Sequence, residues 1–208
     1  MNMPATRERR AGRRAVSPRE AVFVTGLSEK TINQAIDRKE IQTLPAQRAG
    51  EHERLLGFPE LLYLSLRDSV GRLLSPEGKR MLQQRLDVLR ATPGPAGVSM
   101  GPLELNITSE VEALTERLER IEQARSFVTV DPQVRAGEPV VRGTRIPVSV
   151  LADLERQGAS REELLEDYPA LTAESLEAAL FYAQLYPRRG RPRRAPWRRN
   201  GVVVRQAP

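Results

Sequence analysis

Cysteine is absent from the 208 residues. That excludes a disulfide scaffold, a thiol nucleophile and a cysteine-based zinc site, and it suits a reducing cytosol. Histidine occurs once, at His52, so a histidine-based metal site lacks partners. No Ser-His-Asp set and no glycine-rich phosphate loop can be traced. The acidic pairs Glu162-Glu163 and Glu166-Asp167 fall on a short polar face, with Glu163 in a helix cap, and read as solvated. Aromatics make up only 4% of the chain, which argues against a large aromatic-lined pocket. No apolar run approaches the roughly 20 residues of a membrane span. The arginine-rich start lacks the apolar segment of a signal peptide. The expectation is a cytoplasmic protein that is not an enzyme, with no catalytic residue, metal or cofactor.

What is abundant is arginine. Thirty of the 33 basic residues are Arg, for which a GC-rich genome is a sufficient reason. Their placement says more than their number. Residues 187–208 carry eight Arg and no acid, and residues 1–14 carry five Arg and one Glu, so the net +6 conceals a middle of −6. A folded acidic body with two basic arms seeks polyanions, either nucleic acid or an acidic cleft on a protein. The first arm, 1–14, has no apolar periodicity and is expected to be disordered.

Order should begin at Ser17-Pro18-Arg19-Glu20, where a capping serine, a proline at the first helical position and a glutamate three residues on form a helix start. Gly26 stops that helix and Ser28 caps the next. In EKTINQAIDRKE the residues Ile32, Ala35 and Ile36 face inward. Lys30, Thr31, Asn33, Gln34, Arg38 and Lys39 face outward, and these side-chain types read base edges and phosphates. Ile41 to Leu44 is strand-like, Pro45 to Gly50 a loop carrying Arg48, and His52 to Leu56 a returning strand. Two helices, a tight turn and a two-stranded wing make a winged helix-turn-helix. The segment GLSEKTINQAIDRKEI with that wing resembles the MerR and excisionase type of DNA-binding domain. A small helical bundle with a solvated polar face is the plainer account of the same residues.

Pro59 to Arg72 should form a helix that is apolar over a wide arc, through Leu61, Leu62, Tyr63, Leu64 and Leu66. One side can cover the winged unit, and the other needs a partner surface, which points to a homodimer. Ser75-Pro76-Glu77 starts a further helix striped by Met81, Leu82, Leu86 and Leu89. The run ATPGPAGVSMG is linker chemistry. Leu103 to Ile107 alternates like a strand. Ser109 to about Arg125 is an amphipathic helix with Val111, Leu114, Leu118 and Ile121 at heptad steps, docking on its own chain or on a second copy.

Phe127 to Val130 then leads as a strand into three short helices. Gly137-Glu138-Pro139 and Arg142-Gly143-Thr144 are turns around Val140-Val141. A helix from about Val148 stops at Gly158, a capping box at Ser160-Arg161-Glu162-Glu163 opens the next, and Tyr168-Pro169 ends it. Thr172 caps the third, and Pro187 stops it. The wording GEPVVRGTRIPV, followed by LLEDYPALTAESLEAALFYA, closely resembles the family called domain of unknown function four-three-three. Gly137, Pro139, Gly143 to Val148, Tyr168 to Thr172 and Ala178-Ala179 carry the likeness. Members are usually seen as VapB-like antitoxins beside a PIN-domain ribonuclease toxin, so the resemblance implies an antitoxin with that partner and an operator DNA to repress. Arg142 and Arg145, in a turn, are assigned to structural or toxin contacts.

The last segment combines arginine with proline at 187, 192 and 196, which forbids a regular helix, and with the sole tryptophan. VapB-type antitoxins wrap their toxin with such a segment. The resemblance thus implies toxin contacts for Arg188, Arg189, Arg191, Arg193, Arg194, Trp197, Arg198 and Arg199. An arginine fork can pair with the toxin's acidic cluster, and Trp197 can anchor the segment. Phosphate neutralisation alone is the plainer account of the same arginines. The expected fold is mainly α with short β-strands. The expected order is a basic arm (1–14), a winged helix-turn-helix domain (15–90), a linker (91–102), a helical module with its preceding strand and amphipathic helix (103–186), and a toxin-binding tail (187–208). A stand-alone winged regulator without a toxin and a structural adaptor are the competing readings.

Overall fold

Local signals dictate where most of the helices begin. The computed structural model describes residues 15–48, 51–67, 69–89 and 97–187, with backbone alone at 46–48, 51–53 and 87–89. The basic arm, residues 91–96 of the expected linker and residues 188–208 of the tail lie outside the described residues. The chain is mainly helical, with short strands. Helix α1 (Pro18–Thr25) opens with the Ser17/Glu20 capping box and Pro18 at its first turn, and it ends at Gly26 with φ +73°. Helix α2 (Glu29–Asp37) is capped by Ser28 and buries Ile32, Ala35 and Ile36.

Strands β1 (Leu44–Arg48) and β2 (Glu51–Leu55) form an antiparallel hairpin, with Leu44 opposite Leu55. The expected first strand, Ile41 to Leu44, is therefore displaced toward the expected loop. Ile41 is instead a core residue, 3% exposed. Pro45 sits within β1, which a two-stranded ribbon tolerates because each strand has an unpaired edge. The hairpin is tied back to the start of the fold, because Val16 and Leu56 exchange both backbone hydrogen bonds, at 3.0 and 2.8 Å.

Helix α3 (Phe58–Arg67) is shorter than expected and gives way to turns before Ser75. The expectation that one of its sides needs a partner surface does not hold. Leu61, Leu62, Leu64 and Leu66 are each at most 1% exposed and Tyr63 is 7% exposed. Helices α1, α4 (Pro76–Leu89) and α5 (Thr108–Ser126) surround it within the same chain. On α4, Leu82 and Leu86 are core while Met81 is exposed. On α5, the seam of Leu114, Leu118, Ile121 and Ala124 is buried against the chain itself.

Between α4 and α5 lies a second hairpin, β3 (Gly97–Met100) with β4 (Leu103–Asn106), turning at Gly101. Residues 97–100 are thus a strand rather than the linker read from glycine and proline content. Val98 and Met100 alternate into the core, at 3% and 5% exposure. That core runs across the expected boundary, joining residues of α1 to α4 with Ile107, the α5 seam, and Phe181 and Leu185 near the C-terminus.

The C-terminal module follows the local reading closely. Strand β5 (Val128–Thr129) pairs antiparallel with β6 (Val140–Val141). Three helices follow, α6 (Val148–Arg156), α7 (Arg161–Asp167) and α8 (Ala173–Leu185). Capping boxes at Ser160 and Thr172 open α7 and α8. Val128, Val141, Val148, Leu151, Leu164, Leu176, Ala179 and Leu180 form a second apolar cluster. Tyr182 packs against both clusters, so α8 serves both. Among the described residues, no helix is long and apolar enough to cross a membrane.

Candidate nucleic-acid interface

Ser28 sets the start of α2 and thereby its rotation. Its hydroxyl oxygen accepts from the Thr31 amide at 3.1 Å. With Ile32, Ala35 and Ile36 turned into the core, the 3.6-residue period leaves Lys30, Gln34 and Arg38 on one exposed line. Asn33 lies beside that line, half-buried. The Thr31 hydroxyl is 2.8 Å from Ser28 Oγ and so serves the cap. The hairpin follows directly, and Arg54 of β2 lies 3.6 Å from Asp37 at the end of α2. Both partners are exposed, so this pair holds the hairpin only weakly. Arg48 is on β1, with its side chain outside the described set.

Lys39 departs from the line. Its φ of +56° places it in the left-handed region, where it closes α2 as a glycine ordinarily would. Its amide donates to the Ile36 carbonyl at 3.0 Å and the Glu40 amide to the Ala35 carbonyl at 2.9 Å. Beyond this cap is a hollow of about 570 Å³ between the ends of α2 and α3 and the start of α4. Arg38, Lys39, Arg67, Lys79 and Arg80 line it, with Glu40 and Tyr63. Glu40 lies 3.3 Å from Arg67 and 3.9 Å from Arg38. Its carbonyl accepts from Gln83 Nε2 at 2.7 Å. Burial raises the Tyr63 phenol above its ordinary value; Glu40 adds to this and Arg67 opposes it.

The most enclosed polar cluster is one that sequence patterns did not point to. Glu20 is fully buried. Its carboxylate accepts from the Ser17 amide at 2.8 Å, from Arg125 Nε at 3.0 Å and Nη2 at 2.5 Å, and from the Tyr186 hydroxyl. The only local signal was the α1 capping box, because Arg125 and Tyr186 reach Glu20 from 105 and 166 residues away. The cluster ties α1, α5 and the end of α8 together, and Arg125 Nη1 also donates to the Ala15 carbonyl at 3.5 Å. Arg142 has a comparable local role, donating from Nε to the Ser126 carbonyl and from Nη2 to the Val128 carbonyl at 3.4 Å. Arg145 is exposed on the same turn. Among the described residues, no group of three or more His, Asp or Glu side chains is placed to hold a metal ion. Arg188, Arg189, Arg191, Arg193, Arg194, Trp197, Arg198 and Arg199 lie outside the described residues.

Comparison with known proteins adds the following. A family model described as "Protein of unknown function (DUF433)" matches residues 128–183, the stretch from β5 into α8. The chain is 32% identical over 183 residues to the uncharacterized protein y4eO of Sinorhizobium fredii, covering 84% of this chain and 82% of that protein. A crystal structure of a DUF433 member from Anabaena variabilis is 30% identical, covering 55% of this chain and 91% of that one, with a TM-score of 0.29. The crystal structure of Rv2018 from Mycobacterium tuberculosis is 18% identical, covering 79% and 96%, with a TM-score of 0.37. The family-specific residues from Gly137 to Ala179 all fall inside the matched segment, and the likeness to y4eO runs through most of both chains. The chain belongs to the DUF433 family.

Proposed function

We propose that the chain is an antitoxin that binds its own operator through α1, α2 and the β1–β2 hairpin, acting as a winged helix-turn-helix, and inhibits a PIN-domain ribonuclease through residues 187–208. The observation that carries the DNA-binding half is the line Lys30, Gln34 and Arg38 beside Asn33. It stands on a helix whose other face is anchored in the core, with a hairpin alongside. Such a helix presents amide side chains for base edges and cations for phosphates, and the hairpin offers a second strand of contact. The antitoxin half rests on the family resemblance and on the charge and tryptophan of the last segment. The stand-alone regulator shares the first half and lacks the second.

The test uses the full chain and duplex DNA from upstream of its gene. Replacing Asn33 and Gln34 by Ala should weaken operator binding by roughly 10- to 100-fold, as expected for lost base-edge contacts. Lys30→Gln should weaken all duplexes alike and reduce the salt slope by about 1. Operator affinity indifferent to all three changes would refute the α2 assignment. Deleting residues 187–208 should abolish inhibition of the ribonuclease encoded next door while operator binding persists. Undiminished inhibition would refute the assignment of toxin binding to residues 187–208, and no inhibition by the full chain would leave the stand-alone regulator.

A further inference from the structure

The hollow beyond α2 gathers positive charge in places where folding alone disfavours it. Lys39 occupies a left-handed position, with φ +56°, that a glycine fills without the Cβ penalty. Lys79 stands at the end of the first turn of α4, with Arg80 one residue on, near the positive end of the helix dipole, which repels cations. Natural sequences keep local conflicts of this kind mainly where a site requires them. Here two of them, Lys39 and Lys79, converge on one cavity with Arg80 beside them.

The cavity's own carboxylate does not answer that charge. Glu40 is engaged with Arg67 at 3.3 Å and, more loosely, with Arg38 at 3.9 Å. Among the described residues, no carboxylate pairs with Lys39, Lys79 or Arg80. A volume of about 570 Å³ falls within the roughly 300–1,000 Å³ typical of small-ligand clefts. Tyr63 also lines that space, and a phenol is neutral at physiological pH. Cations and concavity together suit a compact anion such as a phosphate group.

We propose that this hollow is a binding site for a phosphate group held by Lys39, Lys79 and Arg80. The phosphate has two possible sources, a free small molecule and the backbone of DNA lying across the end of α2. The site stands on its own geometry and does not depend on α2 reading base sequence.

The test titrates isotope-labelled full-length chain with inorganic pyrophosphate and follows amide resonances, which separates the hollow from the two arginine arms. The Gly71 amide and the Gln83 side-chain amide should shift along one saturable curve. The double change Lys79→Gln/Arg80→Gln should weaken that curve by roughly tenfold, whereas Arg205→Gln should leave it unchanged. Lys39→Gly should weaken binding while leaving the melting temperature equal or higher, an outcome that a purely structural lysine would not give. Shifts that do not saturate, that avoid the hollow, or that ignore all three substitutions would overturn the proposal. A short duplex of arbitrary sequence then identifies the source. If it moves the same amides and pyrophosphate displaces it, the phosphate belongs to DNA. If those amides stay still, it belongs to a free ligand.

Discussion

Replacing Arg125 by Met should be among the most damaging single changes outside the apolar core, and its size can be worked from the contacts of Glu20. The Glu20 side chain is 0% exposed and that of Arg125 is 19% exposed. Arg125 supplies Nε at 3.0 Å and Nη2 at 2.5 Å to one carboxylate oxygen, and Nη2 at 2.5 Å to the other. Methionine fills much of the same space without charge or donors. The carboxylate then keeps Ser17 and Tyr186 but has no counter-charge. A buried ion stripped of its partner destabilises a fold by roughly 3–5 kcal/mol. The lower figure applies here, because water can enter where the arginine is partly exposed.

For a chain of this length, about 3 kcal/mol corresponds to a fall of roughly 6–12 °C in melting temperature. Urea unfolding followed by circular dichroism at 222 nm gives the free energy, and a thermal scan gives the shift. The control is Glu20→Gln/Arg125→Met. Glutamine keeps an acceptor for the Ser17 amide and removes the charge, so the double variant should be more stable than Arg125→Met alone. A loss below about 1 kcal/mol for Arg125→Met would refute the reasoning. So would a double variant that loses the sum of the two single losses, because the two residues would then be energetically independent.

Two further outcomes follow from single residues. The Tyr63 phenol is raised above 10.0, chiefly by burial, so the unfolded chain releases this proton at lower pH than the folded one. The neutral phenol's contribution is whole below about pH 10 and is lost as pH rises through the folded value. Urea midpoints measured between about pH 8 and 11 should therefore decline less steeply for Tyr63→Phe than for the parent. Gly26 closes α1 at φ +73°, and a Cβ added there would meet nothing within 4 Å, so Gly26→Ala should cost about 1 kcal/mol through backbone strain alone. A neutral result in the same urea assay would mean that the turn relaxes.

The parts of the fold that were legible in the sequence are those written within a few residues. The capping boxes at Ser17, Ser160 and Thr172 and the stop at Gly26 each involve contacts no more than four residues apart. The polar face of α2 was legible for the same reason, since Ile32, Ala35 and Ile36 fix its rotation. The covering of α3 was not. Its apolar arc asked for a partner, and nothing local said that α5 would return some fifty residues later to supply it. Residues 97–100 look like linker in the sequence because Val98 and Met100 alternate over only four positions beside a run of glycine and proline. The basic hollow brings Arg38, Lys39 and Glu40 together with Tyr63, Arg67, Lys79 and Arg80, from segments that no sequence pattern joins.

The position of α8 links these parts. The family model ends at residue 183, yet Phe181 and Leu185 belong to the N-terminal cluster. The Phe181 ring meets Phe23 of α1 edge-to-face at 4.8 Å, with the Arg120 guanidinium 4.5 Å above it. Tyr186 then donates to Glu20, which closes the capping box of α1, and α1 leads through Gly26 and Ser28 into α2. The family module and the helix proposed to read DNA are thus joined through the Phe181–Phe23 and Tyr186–Glu20 contacts. A ligand shifts an equilibrium only by its difference in affinity between the two states. A partner bound beyond Pro187 would therefore leave α2 in place unless its affinity differed between the joined and separated forms by more than breaking those contacts costs. Tyr186→Phe, which removes the tie to Glu20, is the background where events beyond Pro187 should first be felt at α2.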